Sequence, residues 1–277
     1  MTVTRVTDLA TAVRAPNAGP MTLEGTNTYV LRHPSSPSVV VVDPGPLDAD
    51  HLARIAACGR VELILLTHRH LDHVEAAPEL AARSGAPVRA NDAGLCIDGP
   101  PLRDGEVVDA AGVRVEVIAT PGHTADSISL LLSADSASDG DHGSLLTGDT
   151  ILGRGRTAII EPDGSVADHL ASLERLEALG GLRVLPAHGP VLPSVGIVAA
   201  EYIAHRRARL VQVRDLLAAL ERPADAGDEE LVDLVVDRVY AGSAEGVRFA
   251  ARSSVRAQLE YLSDPRGDVT PAAGAAR

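Results

Sequence analysis

Short apolar runs punctuate the first two-thirds of the chain. Thr26–Arg32, Val39–Asp43 and Val61–Thr67 each end in turn or polar residues, the pattern of β-strands. Between the last two, Leu52, Ile55 and Ala56 recur at helical spacing, which predicts a helix over Asp48–Cys58. Helical spacing returns over His73–Ser84. Pro87–Ala90, Val107–Val108, Val113–Thr120, Ile128–Leu132 and Ser144–Thr147 then read as strands joined by Gly and Asp turns, with Ser133–Ser144 a solvated, mobile loop. Val166–Leu179 is amphipathic, and Val184–Pro186 reads as a last short strand. Strands and helices alternate without a strict βαβ period, so the pattern predicts α and β elements layered around sheets.

Pro190 and Pro193 mark a break, after which only helical spacing remains, over Ile197–Leu220, Asp228–Tyr240 and Val247–Leu262. Asp228 is placed to cap the second of these, with Glu229 and Glu230 in its first turn. The pattern divides the chain into a large α+β unit over residues 1–196, a small helical unit over 197–264, and a disordered Pro-, Gly- and Ala-rich tail over 265–277.

Composition narrows the chemistry. All 25 basic residues are arginine, which excludes Schiff-base chemistry, lysine bases and the GxxxxGK phosphate loop. A GxSxG nucleophile elbow is also missing. Catalysis must then come from histidine, acids or a metal. Cys58 and Cys96 form no CxxC pair and read as small buried hydrophobes in a reducing compartment. The first twenty residues lack a cationic start followed by an apolar run, so the chain is expected to be soluble, cytoplasmic and free of membrane contact. Net charge is −13, with −11 in residues 1–200 and −2 in the remainder, a balance that repels polyanions at long range. Tyr29 is the lone aromatic of the first 200 residues, a thin platform for stacking single-stranded bases.

The decisive segment is Thr67-His68-Arg69-His70-Leu71-Asp72-His73, where an apolar strand ends and a helix begins. Three imidazoles and a carboxylate within six residues are costly to bury unpaired, and a metal offsets that cost. Alternation sends His68 and His70 to one side, and the turn into the helix lets Asp72 and His73 face a neighbouring point. This arrangement suits two cations bound close together. Partners follow later strands: His123 in Thr120-Pro121-Gly122-His123-Thr124, Asp149 in Thr147-Gly148-Asp149, and His188 in Pro186-Ala187-His188-Gly189. Each stands beside a glycine that permits a tight turn. His33, His51, His142, His169 and His205 match no ligand position and read as surface or core residues.

With this HxHxDH segment and the later His, Asp and His, the chain resembles the metallo-β-lactamase superfamily. Within it, Asn17-Ala18-Gly19-Pro20, the stretch Thr22-Leu23-Glu24-Gly25-Thr26-Asn27-Thr28-Tyr29, Gly148-Asp149-Thr150-Ile151-Leu152-Gly153 and the helical tail resemble the β-lactamase-like protein 2 family of endoribonucleases and their bacterial relatives. The resemblance implies an αββα sandwich with metals at one edge and a winged-helix appendage formed by the terminal helices. It implies that His68, His70 and His123 hold one divalent metal and Asp72, His73 and His188 a second, with Asp149 bridging. Zinc suits these donors, and iron or manganese could occupy the same mixed N/O site. A water between the ions would become the nucleophile, with Asp72 and Asp149 as the catalytic carboxylates, Asp149 bridging and Asp72 coordinating first and assisting proton movement second. Where many relatives have Gly-Gly after the DH pair and one residue, this chain has Glu75-Ala76, and Glu75 reads as a helix-capping acid.

Substrate contacts are expected from Asn27, Arg154, Arg156 and Arg206, whose guanidinium groups could clamp a phosphate or carboxylate. Arg206 and Arg209 share a face of the long helix, beside Arg207. Two enzymatic readings remain open: cleavage of single-stranded RNA, which the family resemblance implies, and hydrolysis of a glyoxalase-II-like or acyl-carrier thioester or ester, which the negative charge favours. A catalytically silent winged-helix binding module is a third reading, opposed by the intact ligand set. The acids among the terminal helices speak against sequence-specific DNA binding, and those helices suit covering a cleft or packing in a homodimer.

Overall fold

The computed structural model describes residues 3–136, 142–241 and 248–264; part of the expected 133–144 loop, the side chain of His142 and the 265–277 tail lie outside them. Strands β1 (Val3–Arg5), β2 (Ala10–Arg14), β3 (Asn27–Leu31), β4 (Ser38–Val42), β5 (Arg60–Leu65) and β6 (Val88–Arg89) form one sheet in chain order. The first four pair antiparallel, whereas β4, β5 and β6 run parallel, linked by α1 (Ala49–Ala57), α2 (Leu71–Val74) and α3 (Ala77–Ser84). A second sheet has the order β11-β10-β9-β8-β7, from β7 (Val107–Ala110), β8 (Val113–Ala119), β9 (Ile128–Ser136), β10 (His142–Gly148) and β11 (Arg183–Pro186). Helix α4 (Val166–Glu177) carries the crossover from β10 to its parallel neighbour β11.

Alternation along the strands sorts the core into layers. Inward-facing Val40, Val42, Leu63 and Leu65 meet Val113, Val115, Val117 and Leu130 of the other sheet. Outward-facing Val39, Val41 and Ile64 take Leu52, Ile55 and Leu80 of α1 and α3. On the far side, Ile118, Leu145 and Val184 take Leu173 and Leu176 of α4 together with Tyr202. The result is the expected α+β sandwich in four αββα layers. Because β9 is antiparallel to both β8 and β10, and β11 is parallel to β10, the C-terminal ends of β8, β10 and β11 share one edge.

Three helices close the chain: α5 (Val195–Ala219), α6 (Glu229–Val239) and α7 (Arg248–Ser263). The first half of α5 packs Val195, Val198 and Tyr202 against the sandwich, and its second half joins Val213 and Leu217 to Val232, Val235, Val255 and Leu259. Asp228 caps α6 by accepting from the Leu231 amide. Among the described residues no strand follows β11, so the appendage is found as helices alone. None of the described helices is long and apolar enough to cross a membrane.

Three expectations are corrected. Ser133–Ser136 extends β9 instead of opening a loop, because buried Asp135 accepts from the Leu9 amide and the Ser144 hydroxyl and so pins polar residues into the sheet. The helix expected over His73–Ser84 breaks at Glu75 and Ala76 before Pro78 starts α3. Glu75 ends α2 rather than capping its start, and its carboxylate accepts from the Leu47 amide at 3.0 Å.

Leu130→Ala should cost about 2–5 kcal/mol in urea unfolding, since Leu130 is fully buried between the sheets, whereas Ile197→Ala on the exposed face of α5 should fall within about 0.5 kcal/mol of wild type. His51 of α1 is buried with Nε2 2.9 Å from the Thr28 hydroxyl, and burial pushes its pKa down to about 4. The unfolded chain takes up this proton first, so stability falls as pH drops through that window from about 6.5. Parallel urea titrations of wild type and His51→Gln should show a shallower loss in the variant; identical slopes would contradict a neutral His51.

Candidate metal centre

Five strand ends meet at the shared edge. After β4, Asp43 takes a left-handed conformation (φ 51°) and accepts from the amide and hydroxyl of Thr67 at 2.8 and 2.7 Å. The Thr67 carbonyl accepts from the Ile128 amide of the second sheet at 2.9 Å, which fixes the start of the His68–His73 turn against both sheets. After β8 the chain turns at Gly122 (φ 135°), where a Cβ would stand 2.3 Å from the His169 backbone in α4. After β10 it turns at Gly148 (φ 49°), where a Cβ would stand 2.8 Å from the Thr67 hydroxyl. Both turns need glycine, and they aim His123 and Asp149 at the same point. Asn27 donates to the carbonyls of Pro186 and Gly189 at 3.1 and 2.9 Å, gripping the loop that carries His188.

All seven residues singled out as ligands converge. His70 Nδ1 lies 3.1 Å from His68 Nε2 and 3.0 Å from His123 Nε2. Asp72 Oδ2 lies 3.1 Å from His188 Nε2 and 3.4 Å from His73 Nε2. Asp149 stands between the two groups: Oδ2 is 3.6 Å from His123 Nε2, while Oδ1 is 3.4 Å from His188 Nε2 and 3.7 Å from His73 Nε2. Two sets with ligand atoms within 4.8 Å of one another result, His68, His70, His123 and Asp149 in one, Asp72, His73 and His188 in the other.

The far side of most rings is anchored. His73 Nδ1 donates to Asp43 at 2.9 Å, His123 Nδ1 to the Ala158 carbonyl at 2.8 Å and His188 Nδ1 to the Gly25 carbonyl at 3.5 Å, while His68 Nδ1 lies 3.1 Å from the Thr67 hydroxyl. These contacts set tautomer and ring orientation, leaving each Nε2 turned inward. Inside, His73 Nε2, His188 Nε2 and Asp149 Oδ1 are buried without a hydrogen-bond partner. Inward-facing imidazole nitrogens and carboxylate oxygens without partners, facing one another across a small space, are what a divalent cation requires. The residues therefore fit a metal.

Electrostatics separate the two sets. Burial holds His68 well below its ordinary pKa, lowers His70 and pushes His123 down to about 4, so these rings are neutral donors. Burial also opposes charge on His73 and His188, but the carboxylate of Asp149, joined by Asp43 and Asp72 at His73 and by Asp72 at His188, outweighs it and raises both. Burial alone would raise the Asp72 carboxyl; the adjacent His188 and His73 rings hold it well below the usual carboxylate range.

Of the other expected contacts, Asn27 lies apart and the three arginines share one cavity. Both Asn27 amide bonds go to the chain, placing this residue behind the His188 loop. Arg154 is exposed and paired with Glu24, and Arg207 with Glu174. Arg154, Arg156 and Arg206 all line a cavity of about 280 Å³ that also touches His123 and Asp149. Asp43 escaped the sequence reading, although it carries the same signal as Asp149, an acid directly after a buried strand and close to a glycine.

A sandwich with this strand-end cluster defines a class of metal-dependent hydrolase, and comparison with known proteins agrees. The metallo-beta-lactamase superfamily profile matches residues 21–188, and the chain belongs to that superfamily. It is 32% identical to a beta-lactamase-like protein 2 homolog of Caenorhabditis elegans, over 94% of this chain and 86% of that one. It is 30% identical to an atrochrysone carboxyl ACP thioesterase of Aspergillus chevalieri, over 88% of this chain and 77% of that one. The structure of a metallo-beta-lactamase family protein from Thermus thermophilus superposes with a TM-score of 0.67 at 26% identity, covering 91% of this chain and 92% of that one.

Asp43→Asn should preserve the left-handed backbone, which asparagine tolerates, while removing the anion behind His73. Chelator competition should then show metal affinity lowered by about 10- to 100-fold. Unchanged affinity would show that Asp43 serves Thr67 alone.

Proposed function

We propose that this chain is a dinuclear metal-dependent hydrolase of small esters or thioesters. The observation that carries this reading is the position of Asp149, with one carboxylate oxygen facing each ligand set. His68, His70 and His123 would hold one ion and Asp72, His73 and His188 the other, with Asp149 spanning both; zinc suits the donors, and iron or manganese is compatible. Such ions, when bound, bring the pKa of a water toward neutrality and polarise an electrophilic oxygen.

The remaining work falls to the chain. Asp43, Thr67 and the Ala158 and Gly25 carbonyls fix the rings, so the donors need no reorganisation. The Asp72 side chain is 30% exposed against 11% for Asp149, so its carboxylate is the more open of the two toward substrate and solvent. Met21, Leu23 and Leu152 give the neighbouring cavity an apolar wall suited to an acyl group, and Tyr240, Ala250 and Ala251 of the helical unit cover it. On this reading residues 1–196 are the catalytic domain and 197–264 a cover. The free thiols of Cys58 and Cys96 suit a reducing, cytoplasmic setting.

Cavity size, net charge and likeness to the Aspergillus chevalieri thioesterase support a carbonyl substrate. Arginines on the cavity wall favour a second reading, cleavage of single-stranded RNA.

Metal analysis of purified protein should count two ions per chain, and Asp149→Ala should lower turnover of acyl thioesters by roughly 100-fold or more. Cleavage confined to single-stranded RNA would install the second reading. Equal inertness of metal-loaded wild type and Asp149→Ala on both substrate types would overturn both.

A further inference from the structure

The cavity beside the cluster holds a charge that the fold leaves unbalanced. Arg206, on α5, is 5% exposed, and its guanidinium donates to the neutral carbonyl of Thr157. Its Nε has no hydrogen-bond partner, and among the described residues no carboxylate pairs with it. Other sheltered arginines are balanced: Arg89 by Glu106, Arg252 by Asp233 and Glu229. A guanidinium does not shed its proton inside a protein, so the charge stays.

Neighbouring groups add to the positive field instead of cancelling it. Arg156 lies 4.5 Å from the Tyr202 ring centroid, and its nearest carboxylate is the exposed Glu201 at 3.8 Å. Arg209 lies 4.6 Å from the Tyr240 centroid. The contact with the ring and a 2.8 Å hydrogen bond from Arg156 to the Gly155 carbonyl position this guanidinium at the cavity wall. Arg206 is also close to the cluster, since Thr157 accepts from it and donates its own hydroxyl to the Asp149 carbonyl. In a chain of net charge −13, a buried Arg206 with no carboxylate paired to it, beside the exposed Arg156 and set against an apolar wall, marks the place of a counter-anion carried by the ligand.

We propose that Arg206, with Arg156, forms a subsite for the anionic group of a small substrate, a carboxylate or phosphate monoester, whose ester or thioester lies against His123 and Asp149. This rests on the hydrolase reading above. A cavity of about 280 Å³ matches a small molecule, and a polynucleotide would need a longer basic track than one whose Arg154 and Arg207 are already paired with acids.

The test pairs Arg206→Met with Arg156→Gln in the metal-loaded full chain. Glutarate and inorganic phosphate, titrated separately by calorimetry, report which oxyanion the subsite prefers. Affinity for the better one should fall about 10- to 100-fold in Arg206→Met and less in Arg156→Gln. Without anion, Arg206→Met should melt no lower than wild type, because an apolar isostere relieves the buried charge; a merely structural arginine would melt lower. With thioesters of N-acetylcysteamine, the kcat/KM ratio of a glutaryl over a neutral pentanoyl substrate should fall by a similar factor in Arg206→Met. Anion affinity unchanged in both folded variants would overturn the subsite. If both thioesters were inert while the anion titration still depended on Arg206, the ester reading would fall and the subsite would stand.

Discussion

Stranded lone pairs at one edge of the sandwich organise this molecule. Four histidines anchored on their outer sides present inward nitrogens to one another and to two carboxylates, and no internal pairing satisfies His73 Nε2, His188 Nε2 and Asp149 Oδ1 together. Holding such groups so close costs free energy in the bare protein. Much of the local structure exists to enforce it: the Asp43 clamp on Thr67 and His73, the glycine turns at 122 and 148, and the Asn27 grip on the His188 loop. Each contact removes freedom from a ligand-bearing turn.

Topology makes the convergence possible. Parallel crossovers bring the ends of β4 and β5, and of β10 and β11, to the same side of their sheets, and the antiparallel β8–β9–β10 path adds the end of β8. The inter-sheet core of Val, Leu and Ile then fixes the distance between the two sets of strand ends. Helix α5 extends this order outward. Its first half is part of the sandwich layer and its second half is the base for α6 and α7, which places Tyr240, Ala250 and Ala251 at the cavity.

Charge works on two scales. The overall negative charge weakens long-range attraction of polyanions, yet the cavity wall carries arginines held by aromatic faces and backbone carbonyls. Within the cluster, burial holds the pKa of His68, His70 and His123 down, whereas at His73 and His188 the neighbouring carboxylates outweigh burial.

Periodicity and local spacing carried a great deal by themselves. Alternating and helical patterns located most strands and helices, and the density of His and Asp at strand ends pointed to the ligand cluster, because burial of imidazoles beside glycine turns is a local property of the chain. Long-range pairing was not legible. Asp43 looks like an ordinary turn residue and Asn27 like a substrate contact until β-sheet register sets them behind His73 and the His188 loop. Asp135 holds Ser133–Ser136 in β9 through partners at Leu9 and Ser144 that no local pattern reveals. Arg154 and Arg206 read alike as substrate contacts, yet packing pairs one with Glu24 at the surface and buries the other without an acid. Residue type and spacing determine which groups the chain can offer, but only the packing of distant elements decides what each faces, since contact energies depend on neighbours that the sequence separates by more than a hundred residues.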